Sequence, residues 1–259
     1  MASTAVIEPQ ADQAQFVAEL QELRRAPGRR AADHPFVHAM LRGEASEDQV
    51  KVQCVQQYFH TVAFVDGLTR LASRCKIAEI QREIAAGVYE EYTGKLSNTG
   101  PHLELFFRYA ESWGFTRDQL QRTGYYLVPE GMALINWYMY AADHLSPLEG
   151  IAVFTVGAEG VNVTFPGLPG LSRQVCDALT RHYHKTQDDV FFWDLHDKVD
   201  QGHSTTGLEI LARHATTEDQ RDRIRAAVRM TTDVWYHFVG APLNWTTDDV
   251  QSVNSSFFY

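Results

Sequence analysis

Two histidines and one aspartate occur at a spacing that could bind a metal ion, in the motif His196-x3-Asp200-x2-His203. On an α-helix each residue turns by about 100°, so Asp200 lies roughly 40° to one side of His196 and His203 roughly 20° to the other. The three side chains therefore share one helix face. Two imidazoles and a carboxylate suit iron, manganese or zinc, and the motif alone does not choose among them. A solvated polar helix face is the alternative interpretation.

A face with three ligands needs further ligands from other helices. Carboxylates and imidazoles inside otherwise apolar helical stretches are the candidates, because burying them is costly unless a metal ion or an ion pair compensates. Three places qualify, namely the pair Glu90 and Glu91, His102, and Glu159. Taken singly, the glutamate pair could be solvated, His102 could simply begin a helix, and Glu159 could be a buried acid paired with an arginine.

The combination is more informative than any single candidate. One glutamate of the pair, His102 and Glu159 complete the motif to three carboxylates and three imidazoles. That set is typical of a two-metal site with open positions for oxygen or substrate. Glu90 and Glu91 differ by about 100° in direction on a helix, so we expect only one of them to face the site. The spacing does not say which.

The elements that must position these residues are predicted to be helices throughout. Apolar residues recur at helical spacing, and proline and glycine occur in clusters that separate the helices. A long helix is predicted to begin after Ser46, which is a typical N-cap. The other predicted helices cover about 11–26, 35–43, 77–92, 101–114, 129–145, 147–163, 171–186, 188–213 and 217–240. No useful β-alternation, phosphate-binding loop or repeat occurs, so the sequence predicts one all-α domain over 1–259, with poorly ordered tails at 1–10 and 244–259.

Composition limits the partners and the location. The 259 residues carry a net charge of −10, which argues against nucleic acid as a general partner. No stretch is long and apolar enough for a membrane span, and the N-terminus lacks the basic start and apolar run of a signal peptide. The three cysteines, Cys54, Cys75 and Cys176, form no CxxC motif and fit a reducing compartment. We therefore expect a cytoplasmic protein with a small-molecule substrate.

The chain resembles the haem-oxygenase-like diiron oxidases, which belong to a helical superfamily that includes thiaminase II and the pyrroloquinoline-quinone synthase. The resemblance covers roughly residues 34–242 and is most specific in the motif of His196, Asp200 and His203. Three further segments carry it, namely His34-Pro35-Phe36, Ala158-Glu159-Gly160, and the stretch from His102 to Gly114 that begins His-Leu-Glu-Leu-Phe-Phe.

This resemblance implies a haem-oxygenase-like bundle of about seven core helices. It also implies two iron ions, with O2 as co-substrate, and it favours Glu91 over Glu90 as the ligand beside His102 and Glu159. The reactions implied are N-oxygenation, desaturation or oxidative C–C cleavage of a small amine or amino acid, in natural-product biosynthesis. A homodimer is expected, and an external electron donor is possible.

The sequence is also compatible with other functions. The same family includes oxidative decarboxylases of fatty acids, and the superfamily includes enzymes that resemble the cofactor-free quinone synthase or a thiaminase with a nucleophilic cysteine. A non-enzymatic helical interaction protein is a further alternative. His60, on the long apolar helix, is predicted to be a hydrogen-bonded core histidine. The pocket candidates on ligand-bearing helices, most of them expected to be core residues, are Tyr58, Phe64, Asn136, Trp137, Tyr140, Phe154, Phe192 and Trp193.

Overall fold

A computed structural model describes residues 11–121 and 127–251. Within these ranges the chain is helical and contains no β-strand, which confirms the all-α prediction. A lone antiparallel bridge joins Phe165 to Leu168 in a loop. The α-helices of the described ranges are α1 (Ala11–Arg25), α2 (Pro35–Leu41), α3 (Glu47–Arg74), α4 (Ala78–Thr93), α5 (His102–Ser112), α6 (Arg117–Gln121), α7 (Pro129–His144), α8 (Pro147–Ile151), α9 (Leu171–His182), α10 (Phe191–His214), α11 (Glu218–Gly240) and α12 (Thr247–Gln251).

Side-chain caps set the beginnings of α3 and α11, two of the three longest helices in the described ranges. The Ser46 hydroxyl accepts a hydrogen bond from the backbone N–H of Gln49, whose side chain accepts one from the N–H of Ser46. Thr217 and Gln220 form the same reciprocal pair before α11. Each pair satisfies N–H groups that the first helical turn leaves without partners. Both starts agree with the sequence prediction.

The core lies between α3, α7, α10 and α11 and is rich in aromatic side chains. Phe106, Tyr109, Tyr138 and Phe154 are fully buried. Burial of a side chain of this size contributes roughly 1.5–3 kcal/mol relative to its exposure. The long helix α3 packs against α4 and α7, while α10 and α11 pack against the segment that follows α8. These contacts bring α4, α5, α10 and that segment together on one side of the bundle.

The segment after α8 departs from the regular helix predicted for 147–163. Residues Ala152–Ala158 form π-helical turns, and Glu159–Asn162 form a 3₁₀ turn. The segment packs closely against α11, since a Cβ added at Gly157 would lie only 2.6 Å from the Thr231 methyl. A π turn holds an additional residue, which changes the direction of the side chains that follow by about 100°. The direction of Glu159 therefore does not follow from α-helical periodicity.

Other differences from the predictions lie at the ends of elements. The short helix α6 was not predicted, and α9 ends at His182, earlier than expected. A poorly ordered tail is predicted from residue 244, and the described part of this region contains α12, at whose start the Thr246 hydroxyl accepts a hydrogen bond from the backbone N–H of Asp249. The predictions for 1–10 and 252–259 lie outside the described residues. No helix in the described ranges has the length and apolar character needed to cross a membrane.

Candidate metal centre

Three of the predicted ligands meet where α4, α5 and α10 converge. Glu91, His102 and His196 each place one potential ligand atom within 4.8 Å of those of the other two. Glu91 Oε1 lies 3.0 Å from His102 Nδ1. The Nδ1–H of His196 donates to the carbonyl oxygen of Phe192 at 2.7 Å. Since a carbonyl oxygen only accepts, this bond assigns the proton to Nδ1 and leaves the Nε2 lone pair available for a metal ion.

The other three predicted ligands form a second group between α10 and the 3₁₀ turn. Ligand atoms of Glu159, Asp200 and His203 likewise lie within 4.8 Å of one another. His203 Nδ1 lies 3.2 Å from Glu159 Oε1 and 4.0 Å from Asp200 Oδ1. The opposite carboxylate oxygen, Asp200 Oδ2, accepts a hydrogen bond from the side-chain amide of Asn162 at 2.7 Å. The first group therefore combines two other helices with α10, and the second combines the 3₁₀ turn with α10.

The structure separates the roles of Glu90 and Glu91. Glu90 is buried, and its carboxylate accepts hydrogen bonds from the backbone N–H groups of Leu96 and Ser97 and from the Ser97 hydroxyl. These bonds occupy Glu90 in closing the loop after α4. Both glutamates nevertheless approach His102, since Glu90 Oε1 lies 3.6 Å from Nε2 on the other edge of the ring. The geometry favours Glu91 as the candidate ligand.

Several ligand atoms are buried without a hydrogen-bond partner. His102 is 1 % exposed, and neither of its ring nitrogens has a hydrogen bond among the described residues. The 3.0 Å approach of Glu91 lacks the direction that a hydrogen bond requires. Glu159 Oε2 is also buried and unpaired within the described part of the chain. Because buried polar atoms in native proteins are nearly always satisfied, these atoms fit a bound metal cation.

The charges of the site also favour a cation. Burial raises the pKa of Glu159 and holds the pKa of Asp200 well above its ordinary value, and each carboxylate adds to this by repelling its neighbours. The Glu159 carboxylate raises the pKa of His203 to about 10. Burial lowers the pKa of His196 to about 4. The second group therefore requires a compensating positive charge, which either a proton or a metal ion can provide.

A small cavity adjoins the two groups. It measures about 40 Å³ and is bounded by Glu91, Glu159, His196 and Asp200. A cavity of about 10–15 Å³ already admits one water molecule, so this one has room for a few non-hydrogen atoms of substrate or solvent. Of the predicted pocket residues, Phe64, Phe192 and Trp193 line it. The remaining five do not: Tyr58, Asn136, Trp137, Tyr140 and Phe154.

The cavity wall also contains polar residues that were not predicted from the sequence. The cavity wall contains Gln57 and Thr61 of α3, together with Asn162 and Ser172. The sequence contains a weak indication of these polar residues, namely the three amides Gln53, Gln56 and Gln57 in a largely apolar stretch. The structure shows that all three are buried. Such amides are common on exposed helix faces, so the residue types alone did not mark them.

His60 agrees with its prediction as a hydrogen-bonded core histidine. Its Nδ1 lies 3.0 Å from Gln57 Nε2, and its Nε2 lies 3.2 Å from the Tyr138 hydroxyl. The indole N–H of Trp235 donates to the same hydroxyl at 2.9 Å. Burial lowers the pKa of His60 to about 3, so the ring is neutral at physiological pH. His60 thus faces the cavity as part of a neutral hydrogen-bond chain.

Comparison with known proteins gives a match over most of the chain. Residues 54–236 match a family model described as that of iron-containing redox enzymes. Among curated proteins, the chain is 25% identical over 203 residues to the bifunctional coenzyme PQQ synthesis protein C/D of Methylorubrum extorquens. That alignment covers 78% of this chain and 52% of the relative, so the chain spans about half the length of the curated relative.

Solved structures share the whole fold at low sequence identity. A TenA homologue from Pseudomonas syringae aligns with a TM-score of 0.73 and 14% identity, covering 95% of this chain and 99% of that one. A domain with a haem-oxygenase-like fold from Shewanella denitrificans aligns with a TM-score of 0.67 and 16% identity, covering 92% and 93%. At these identities the likeness establishes the fold, which is haem-oxygenase-like.

Proposed function

We propose that this chain, which belongs to the family of iron-containing redox enzymes, is a non-haem diiron oxidase or oxygenase that uses O2 to oxidise a small amine or amino acid. One observation carries the proposal. Three carboxylates and three imidazoles from four elements converge in two groups beside a cavity, and several of their ligand atoms are buried without partners. Carboxylate and imidazole ligands in this mixture suit iron.

Each group would hold one of the two ions. Glu91, His102 and His196 would bind the first. Glu159, Asp200 and His203 would bind the second. Bound ferrous iron supplies the electrons and the open coordination positions that reduction of O2 and oxidation of a substrate require.

The surrounding residues prepare the ligands and exclude water. The Phe192 carbonyl fixes the proton of His196 on Nδ1, so that Nε2 is the ligand atom. The Asn162 amide holds Asp200 by one oxygen and leaves the other for a metal ion. Phe64 and Trp235 contribute apolar surface to the cavity, which keeps bulk solvent from the reacting groups.

The cavity favours a small substrate over a long fatty acid. Its volume of about 40 Å³ is much smaller than an extended hydrocarbon chain beside the ligands would need. No arginine or lysine of the described residues lines it, so an amino acid would meet hydroxyl and amide groups such as Thr61, Gln57 and Ser172. These neutral groups can hydrogen-bond an amine or an amino acid. We therefore propose such a substrate, whose polar end would be attracted by the bound iron ions.

A thiaminase-like reaction has less support, because it needs a nucleophilic thiolate in the pocket. No cysteine is present among the described residues that line the cavity. All three cysteines are buried, and burial raises the pKa of Cys176 to about 11 and that of Cys54 beyond that of an ordinary thiol. Thiols in such surroundings are unreactive at neutral pH.

A second candidate is a cofactor-free oxidase that resembles the quinone synthase. The 25% identity to the bifunctional PQQ synthesis protein favours it. In such an enzyme, the proton on His203 would supply the positive charge that the Glu159 and Asp200 carboxylates require. The two candidates differ in whether activity needs iron.

The deciding experiment loads the metal-free protein with Fe(II) anaerobically and measures O2 consumption with a panel of amines, amino acids and fatty acids. We expect substrate-dependent O2 consumption with one class of amine or amino acid, lost after chelation and in His196→Ala. The matched control is His184→Asn, at an exposed position with a φ of 57° that asparagine tolerates. O2 consumption that persists in metal-free protein would favour the cofactor-free candidate, and consumption confined to fatty acids would contradict the substrate class.

A further inference from the structure

A second, smaller cavity lies behind the segment that carries Glu159. It measures about 10 Å³, and its wall includes Arg24, Arg30, Thr232 and the glycines Gly157 and Gly160. A volume of this size admits one particle about as large as a water molecule. None of the described residues that line it is acidic. The described wall of this small cavity therefore carries two arginines and no carboxylate.

The guanidinium of Arg24 has no ionic partner in the described part of the chain. Arg24 is 6 % exposed, its Nε is buried without a hydrogen bond, and its Nη2 donates only to the Gly160 carbonyl at 3.3 Å. Burial lowers the pKa of Arg24 to about 10, and the charge of Arg25 adds to this. Even so, Arg24 stays protonated at physiological pH. A buried cation without a counterion is costly, and folded proteins compensate such charges.

Arg30 does not provide that compensation, because it is itself a cation with its own partners. It is 5 % exposed, pairs with Asp33 at 2.8 Å and donates to the Pro169 carbonyl at 2.7 Å. Asp33 thus balances the charge of Arg30 and leaves that of Arg24 uncompensated. The Phe165 ring, 5.3 Å from the Arg24 guanidinium carbon, adds a weak cation–π contact, but it brings no negative charge.

We infer that the cavity between Arg24 and Arg30 is a binding site for one halide-sized anion, for which chloride is the natural probe. The volume excludes phosphate and carboxylates with substituents, and the guanidinium N–H groups of Arg24 supply charge-assisted hydrogen bonds. Gly160 makes the arrangement possible, because a Cβ at that position would lie 2.8 Å from Arg24 Nε.

The site connects to the metal centre through one shared wall. Gly157, Gly160 and Val161 face the anion cavity. Ala158, Glu159 and Asn162 of the same segment face the larger cavity. An anion on Arg24 therefore steadies the backbone that presents Glu159. This site goes beyond the proposed oxidase function and does not depend on it.

The test measures the thermal stability of metal-free protein while chloride replaces gluconate at constant ionic strength. An anion that binds only the folded state stabilises it by RT ln(1 + c/Kd), where c is the free anion concentration, so the gain grows with the logarithm of c once the site is filled. We expect Tm to rise by about 3 °C or more over the chloride series and to rise linearly with log concentration at its upper end. In Arg24→Met the rise is lost, whereas the control Arg29→Met, which removes an exposed arginine paired with Asp233, keeps it.

A second measurement on the unaltered protein covers the case in which Arg24→Met does not fold. Crystals grown in bromide are expected to show an anomalous peak at hydrogen-bond distance from the Arg24 guanidinium. Hydrogen exchange of residues 157–163 is expected to slow in chloride. A water molecule without anomalous signal, or equal chloride stabilisation in Arg24→Met, would overturn the inference. All measurements use metal-free protein, so their failure is separate from failure of the oxidase proposal.

Discussion

Asn162 connects the second group of candidate ligands to the rest of the bundle through a single amide. Its Oδ1 accepts hydrogen bonds from the backbone N–H and the hydroxyl of Ser172, at 3.2 Å and 2.7 Å. These donors fix which end of the amide is oxygen, and so its Nδ2 must donate to Asp200. Asn162 thereby holds Asp200 on α10 relative to the start of α9.

Removal of this amide should weaken metal binding without removing a ligand. Partners that orient metal ligands typically contribute 10–100-fold to metal affinity. We therefore expect Asn162→Ala to lower iron affinity by about 10-fold or more, measured by competition with a chelator under anaerobic conditions. The control Thr205→Ala alters an exposed residue of α10, the helix that carries Asp200. An unchanged affinity in Asn162→Ala would show that Asp200 needs no such support.

His34 is a separate residue whose burial should appear in the pH dependence of stability. Its Nδ1 accepts a hydrogen bond from the backbone N–H of Phe36 at the start of α2, and its ring packs edge-on against Tyr236. Burial lowers the pKa of His34 to about 4, and the nearby His237 and His38 contribute. Below its unfolded pKa of about 6.5 the unfolded chain binds a proton that the folded chain does not.

Stability should therefore fall as the pH decreases from about 6.5 to about 4, with up to about 3 kcal/mol of that loss attributable to His34. His34→Asn keeps a capping side chain and removes the titrating ring. Denaturant unfolding at several pH values should show a shallower decline in His34→Asn than in the unaltered protein, while His184→Asn keeps the original slope. Equal slopes in all three proteins would refute the assignment.

Residue types predicted five of the six candidate ligands and limited the sixth to Glu90 or Glu91, but they did not predict the groups around them. Acids and imidazoles in apolar stretches stand out, because an isolated buried charge is costly. Asn162 and Gln57 do not stand out, since neutral amides occur on any helix. The choice between Glu90 and Glu91 needed the loop that occupies Glu90, which involves backbone donors that no spacing reveals.

At the scale of elements, the π-helical segment Ala152–Ala158 sets the position of Glu159. Helix extents could be predicted from apolar periodicity and caps, as for α3 and α11. The π turns could not be predicted, because apolar periodicity does not distinguish π from α turns and the segment packs against an element distant in sequence, with Gly157 close to Thr231. Local propensity carries no information about such a contact.

Paired glycine substitutions test this packing. Gly157→Ala should destabilise the protein by about 1–3 kcal/mol, because the added methyl meets Thr231 in a filled core. Gly87→Ala, within α4, meets nothing within 4 Å and should stabilise the protein by about 0.5–1 kcal/mol through helix propensity. Equilibrium unfolding in urea measures both. A neutral Gly157→Ala would indicate that the segment repacks freely.

For the molecule as a whole, surface ion pairs and the buried core differ in how much they stabilise the fold. Ion pairs such as that of Arg225 with Glu19 join α1 to α11, but they are partly exposed, and each contributes little to the stability of the fold. Burial of one continuous aromatic and aliphatic core holds the helices together. The single-domain prediction corresponds to one cooperative transition in scanning calorimetry, and two separable transitions would contradict it.

The predicted homodimer is a property that a single chain does not reveal. Light scattering coupled to size exclusion should give about twice the chain mass of 29.4 kDa if it forms. A mass equal to one chain at micromolar concentration would exclude a stable dimer. The result bears on the assembly alone, since all six candidate ligands come from one chain.

The most direct test of the central claim is the iron content after anaerobic incubation with Fe(II) and removal of unbound metal. The proposal predicts two iron ions per chain in the unaltered protein and in His184→Asn. It predicts about one in His102→Ala, which opens the group of Glu91 and His196, and about one in His203→Ala, which opens the group of Glu159 and Asp200. Iron content near zero in the unaltered protein, or unchanged by both histidine substitutions, would contradict a diiron centre at these residues.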